Sequence, residues 1–432
     1  MSKLASFILK HKRTINLIRD IFSCINICLY IVTGILNIPI FAALILINLF
    51  LLLIDKDKIK KIVSINYLVI IIPLVLFIIL RAVAYLTSFG DLTINYVVDQ
   101  FRTVFAIFLC LYYLPSNQKE KEETNKWLIY IPIFAIIVVC VRTTITLIFY
   151  PNISRYMATG KSDNVGINTF LVASYDLIYG FVFFDLALIY SLIKFKQFQL
   201  YKKILLISFL CVVTVTIFLA SFSLAIFILL LGVFLLLFYS GKRKVFYSIL
   251  IVALVLFYPL GIGIIYLGHY LIPNVWLSER IIQLGQLMTF TLQGDSELSD
   301  RFSKILESIK TFINNPVFGV GGYYTTTNMA LYEIGGHSTL SDDLARYGLF
   351  VGLISSFGFL NFVIFINKKA KIRMHFLFSI LLVLLGIINP IHYCTLLIYP
   401  FCIVPLMVSF FELEKNKILY TNENTIFRRI EI

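Results

Sequence analysis

The chain is 432 residues long, 60% hydrophobic and only 14% charged, with a mean hydropathy of +0.92. Soluble domains carry about 25% charged residues, so a soluble globular protein is excluded. The formal charge of +14 sits in short basic clusters at the ends of apolar runs, not in a patch interleaved with aromatics, and no nucleic-acid partner is expected.

Residues 1–20 (MSKLASFILKHKRTINLIRD) are basic and expected in the cytoplasm. Apolar runs of roughly 20 residues follow, each able to cross a hydrocarbon core of about 30 Å as a helix. Helices are required because backbone polar groups find no water partner inside lipid. About twelve spans are predicted, at 21–36, 38–54, 62–82, 97–114, 127–149, 168–190, 204–220, 222–240, 245–267, 346–366, 376–391 and 394–411. A tight turn near Asn37-Ile38-Pro39 joins the first two, and a hairpin turning near Ser221 joins the seventh and eighth. The expected fold is an all-α polytopic membrane protein, one integral membrane domain over 1–432. The first run lacks a cleavage site of small residues and reads as an anchor.

Most of the 37 basic residues fall in the segments this topology puts inside, whereas the outside loops hold only Arg155, Lys161, Arg280, Arg301, Lys304 and Lys310. Both termini are therefore expected in the cytoplasm. Two outside loops exceed a turn, at 150–167 and, far larger, 268–345; loops of that length in a compact bundle are usually functional or disordered. Within the larger one, Phe302, Ile305, Leu306, Ile309, Phe312 and Ile313 recur at helical spacing, with Ser299 as a candidate N-cap and Asn314-Asn315-Pro316 as a stop. This amphipathic helix is expected along the outer membrane surface. All seven cysteines lie in or beside apolar runs, so neither a disulfide framework nor a zinc site is indicated.

Lysine dominates the predicted cytoplasmic ends; arginine marks the other side. Arg81, Arg102, Arg142 and Arg346 fall near the outer ends of their spans, and Arg155, Arg280 and Arg301 lie in the outer loops. Charged residues at membrane depth are costly and tend to face a cavity. The guanidinium fork pairs bidentately with phosphate, so the collection points to an anionic ligand such as a lipid-linked pyrophosphate. Snorkelling, or pairing with Asp91, Asp99, Asp176 or Asp185, is the alternative for any single arginine.

Of five histidines, His337 has the catalytic setting. Gly335-Gly336 precede it, and Ser338 can cap a helix running through Asp342, Asp343 and Arg346 into the tenth span. Such an N-terminus favours phosphate or a developing alkoxide, and a histidine can take a proton from a sugar hydroxyl. An interfacial histidine in a capping loop is the other reading. Asp342 and Asp343 can pair with Arg346 at helical spacing.

The order Asn315-Pro316-Val317-Phe318-Gly319-Val320-Gly321, His337-Ser338, then Tyr347-Gly348-Leu349 and Gly352 resembles the characteristic segment of the O-antigen ligase and polymerase superfamily. Arg301 matches the arginine that precedes the amphipathic helix in that family, although Ile305-Leu306 replace its usual tryptophan. Arg155 followed by Gly166 is similar to the spacing of polymerase loops. The resemblance implies a GT-C-like fold in a bacterial inner membrane and a metal-independent, cofactor-free, inverting glycosyl transfer. Its implied substrates are undecaprenyl-pyrophosphate-linked glycans, with membrane lipid and a chain-length regulator as further partners. It implies that Arg155 and Arg301 bind pyrophosphate and that His337 activates the acceptor hydroxyl. Placement alone adds Arg142, Arg280 and Arg346 to the anion site.

The leading expectation is a polymerase joining lipid-linked repeat units for a capsule or lipopolysaccharide. A ligase moving finished glycan to a lipid or protein acceptor is the nearest alternative. A lipid-linked oligosaccharide flippase also has about twelve spans, but transporters gather ionisable groups at the midplane, whereas here they gather at one face.

Overall fold

The computed structural model describes residues 12–32, 38–62, 75, 79, 94–114, 125–158, 169–195, 198–239, 259–270, short pieces between 278 and 289, 297–320, 334, 338–370, 373–389 and 393–415. Among these, the only regular secondary structure is helix. In chain order the helices are α1 (Lys12–Ile31), α2 (Ile38–Leu53), α3 (Lys56–Ile62), α4 (Ile94–Tyr113), α5 (Trp127–Phe149), α6 (Ile153–Ala158), α7 (Tyr175–Lys194), α8 (Leu200–Leu219), α9 (Ser223–Tyr239), α10 (Glu297–Asn314), α11 (Thr339–Ala370), α12 (Arg373–Ile388) and α13 (Tyr393–Ile398). A further helical stretch covers 259–270. After α13 the chain passes through a π-turn, Tyr399–Ile403, and stays helical to Lys415.

Among the described residues, five helices of at least 18 residues are long and apolar enough to cross a membrane, and four shorter apolar ones accompany them. The chain is thus an all-helical, membrane-embedded protein. Most of the predicted spans 62–82 and 245–267 lies outside the described residues.

At the centre stand α7 and the last span. The apolar window of α7 is 72% buried and that of Leu396–Lys415 is 83% buried, against 22% for α8. Lipid tails are as apolar as the side chains, so close packing, not exclusion of water, must hold these helices together. Gly180 of α7 supplies that closeness: the Tyr399 ring lies where its Cβ would be, 2.5 Å from an ideal position. Around this pair, α8 and α9 pack on α7, α5 packs on α1 and α8, and α10 lies against α11.

At one end of the bundle, polar groups are mutually satisfied. Arg19 binds Asp55 (3.0 Å) and Asp20 (3.1 Å), Tyr112 donates to Asp55 (2.8 Å), and Tyr113 donates to Asp20 (3.1 Å). This network gives the polar residues of α1 ahead of residue 21, where the first span was predicted to start, partners inside the fold. Lys194–Glu412 (2.7 Å) and Lys202–Glu414 (2.6 Å) tie α7 and α8 to the end of the last span.

Two further boundaries differ from expectation. Residues 169–174 are not helical: Leu171 has φ 60°, and the Ala173 N–H is taken by Thr143 Oγ1 at 2.8 Å, so α7 starts only at Tyr175. The helix over the predicted tenth span, α11, begins earlier, at Thr339, and is broken at Gly348 (φ 67°, ψ −171°).

Candidate functional site

Helix α10 ends at Asn314, immediately before Asn315-Pro316, as a proline-bounded helix should. The chain then turns through 315–320, with Gly319 at φ 65° and its N–H on the Asn315 carbonyl at 3.0 Å. That turn crosses the break in α11. In an unbroken helix the Leu349 N–H would bond the Ala345 carbonyl. Here Leu349 N–H donates to the Pro316 carbonyl (2.7 Å), and the Ala345 carbonyl accepts from Val320 N–H (3.0 Å). One helical bond is exchanged for two bonds between segments.

Only glycine fits at the crossing. A Cβ on Gly319 would lie 2.6 Å from the Gly348 nitrogen, and a Cβ on Gly348 would lie 2.6 Å from the Gly319 nitrogen. Both residues also have positive φ, which side-chain-bearing residues avoid. The two glycine motifs singled out in the sequence are therefore one structural unit. Arg346, 8% exposed, lies two residues before the break, and its carbonyl abuts Gly319.

The start of α11 is held from three sides. Ser338 caps it, its Oγ accepting from Ser341 N–H at 3.2 Å. Asp342 reaches back to accept from Ser338 N–H (3.3 Å) and accepts from Ser308 Oγ of α10 (2.6 Å). Thr339 donates to the Asn389 main-chain carbonyl from its N–H (3.3 Å) and its hydroxyl (3.1 Å). Asn389 Nδ2 in turn donates to the Tyr179 hydroxyl at 2.9 Å. The Asp342 carboxylate is thus occupied by Ser308 and Ser338, a different use from the expected pairing with Arg346.

The Arg155 end meets this assembly through aromatic rings. Its guanidinium donates to the Ser221 carbonyl at 3.0 Å and lies 5.3 Å from the Phe222 ring centroid. Phe222 packs edge-on against Tyr175 (5.0 Å), and Tyr175 against Tyr179 (4.8 Å), the hydroxyl that Asn389 binds. A continuous path of contacts runs from Arg155 to Thr339, two residues beyond His337. Ser221 itself has φ 53° in the hairpin between α8 and α9, which turns its carbonyl to Arg155.

Among the expected site residues, Arg155 is brought into one connected region with Ser338 and Thr339, which follow His337 in the chain, and Arg346 lies against the glycine crossing. Arg142 is half-buried on α5, next to the Thr143 that anchors Ala173. His337 and Arg280 lie outside the described residues; Arg301 is on α10, and its side chain is likewise outside them. Sequence reasoning passed over Ser308, Tyr179 and Asn389. Ser308 was visible as a small uncharged residue on the otherwise charged side of an amphipathic helix, and Asn389 as the polar residue before Pro390 at the end of an apolar run.

Compared with known proteins, the chain matches no family model and no curated protein.

Proposed function

We propose that the protein is a polysaccharide polymerase that joins polyprenyl-pyrophosphate-linked repeat units at the outer face of a bacterial plasma membrane. The observation that carries this reading is the Gly319–Gly348 crossing. The Asn-Pro-x-Phe-Gly-Val turn at 315–320 and the Tyr-Gly-Leu run, on which the resemblance rests, are joined there into one backbone unit beside the capped helix start that follows His337.

In the proposed reaction His337 takes the proton from an acceptor sugar hydroxyl. The hydroxyl oxygen forms a bond to the anomeric carbon of the donor from the face opposite the leaving group. The bond from that carbon to the pyrophosphate oxygen breaks, and its electron pair leaves with the polyprenyl pyrophosphate. Arg155 and Arg301, with Arg142, Arg280 and Arg346, hold the leaving charge. No metal is needed where arginines supply that positive charge.

The test is incubation of the purified protein with lipid-linked repeat units. A ladder of products differing by one repeat is expected. A single addition to an acceptor indicates a ligase, and movement of the lipid-linked glycan across a vesicle membrane without bond formation indicates a flippase.

A further inference from the structure

Helix α10 packs by its polar side. Ser308 is fully buried and Thr311 is 4% exposed, both turned towards the body of the protein, with Ser308 on Asp342 of α11. Its apolar side points away. Phe302 is 62% exposed, Leu306 54%, Ile309 39% and Ile313 65%, and the row continues beyond the helix with Phe318 at 81%. These helical positions recur at i, i+4, i+7 and i+11, which is one stripe of a helix.

Such an inverted helix is unstable in water and needs an apolar cover. The surface it continues into identifies that cover. Pro316 and Leu349 are hydrogen-bonded at 2.7 Å, and exposed Leu349 begins the apolar half of α11. The stripe therefore leads towards the outside of α11, whose run from Leu349 to Ile366 is apolar and uncharged, the composition of a membrane-entering segment. The helix cannot span lipid itself, because Asp300, Arg301, Lys304, Glu307 and Lys310 interrupt it within three turns. Exposed Lys310 stands beside the stripe, where a lysine can reach lipid phosphates.

We infer that the Phe302–Leu306–Ile309–Ile313–Phe318 stripe is a lipid-docking surface, seated in the interface of the same bilayer that α11 enters. Through the Ser308–Asp342 bond this seating fixes the beginning of α11 at headgroup depth. The inference stands apart from the glycosyl-transfer reading and can fail without it.

The test uses the full chain in nanodiscs. Its 2 tryptophans, Trp127 and Trp276, are replaced by Phe, and single tryptophans are introduced as Phe302→Trp, Phe318→Trp and, off the stripe, Asn314→Trp. Lipid brominated near the headgroup is expected to quench the first two at least about twofold and the third less. Equal and negligible quenching at all three overturns the inference. A second measurement needs no substitution: a diazirine phospholipid is photoactivated around the unaltered chain and its adducts are mapped. Adducts are expected across Phe302–Phe318. Labelled spans with an unlabelled stripe contradict it.

Discussion

Gly319 and Gly348 lie back to back, each with positive φ, so that the backbone leaving α10 passes directly over the break in α11. Neither can carry a side chain without striking the main chain of the other. Gly319→Ala and Gly348→Ala should each destabilise the protein by at least about 2 kcal/mol, combining the left-handed conformational penalty with the clash. The double variant should cost less than the sum, because the first substitution already separates the segments. Thermal unfolding in detergent reads both effects; unchanged melting of either single variant would show that the crossing carries no stability.

Ser308 donates to Asp342 at 2.6 Å in a fully buried position. Ser308→Ala leaves that carboxylate oxygen short of its donor and should cost about 1–3 kcal/mol. Lys310→Ala, on the exposed side, should stay within about 0.5 kcal/mol. Hydrogen exchange at amides 338–342 should accelerate in Ser308→Ala and not in Lys310→Ala.

Tyr179 and Asn389 form a buried pair at 2.9 Å. Tyr179→Phe and Asn389→Ala should have similar effects on melting, and the double variant should be little worse than either, with a coupling of roughly 0.5–3 kcal/mol. Thr339 binds the main-chain carbonyl of Asn389, so Asn389→Ala leaves those two bonds available. Additive losses in the double-mutant cycle would mean that the two side chains do not act together.

Ser221 holds φ 53° while its carbonyl receives Arg155. A β-branched residue is a poor occupant of that conformation and asparagine a tolerable one. Ser221→Val should lower stability by about 1–2 kcal/mol and Ser221→Asn by much less. Equal melting temperatures for the two would remove the strain argument.

Much of this architecture was legible in the sequence. Trp127–Phe149 was readable end to end, because polar residues precede it and Tyr150-Pro151 follow. The Ser338 cap and the stop after Asn314 were readable too, since both are local chemistry. The helical stretch of α1 ahead of residue 21 was not, because Arg19 is satisfied by Asp55 from the link between α2 and α3. The Tyr347-Gly348-Leu349 run was noticed as a motif, but hydropathy reads composition and cannot register a break within an apolar helix. Equally hidden was that α10 would dock by Ser308 and Thr311 and leave its apolar side exposed, since periodicity gives a stripe without saying what covers it. Tyr179 and Asn389 look like ordinary polar residues at span ends until two distant helices meet.

The central claim is that the region around the start of α11 performs glycosyl transfer with His337 as its base. The most direct measurement compares unaltered protein and His337→Ala, both folded, for polymer formation from lipid-linked repeat units and for binding of the same donor. The account predicts a ladder with the former, its loss with the latter, and donor binding retained in both. A normal ladder from folded His337→Ala would contradict it.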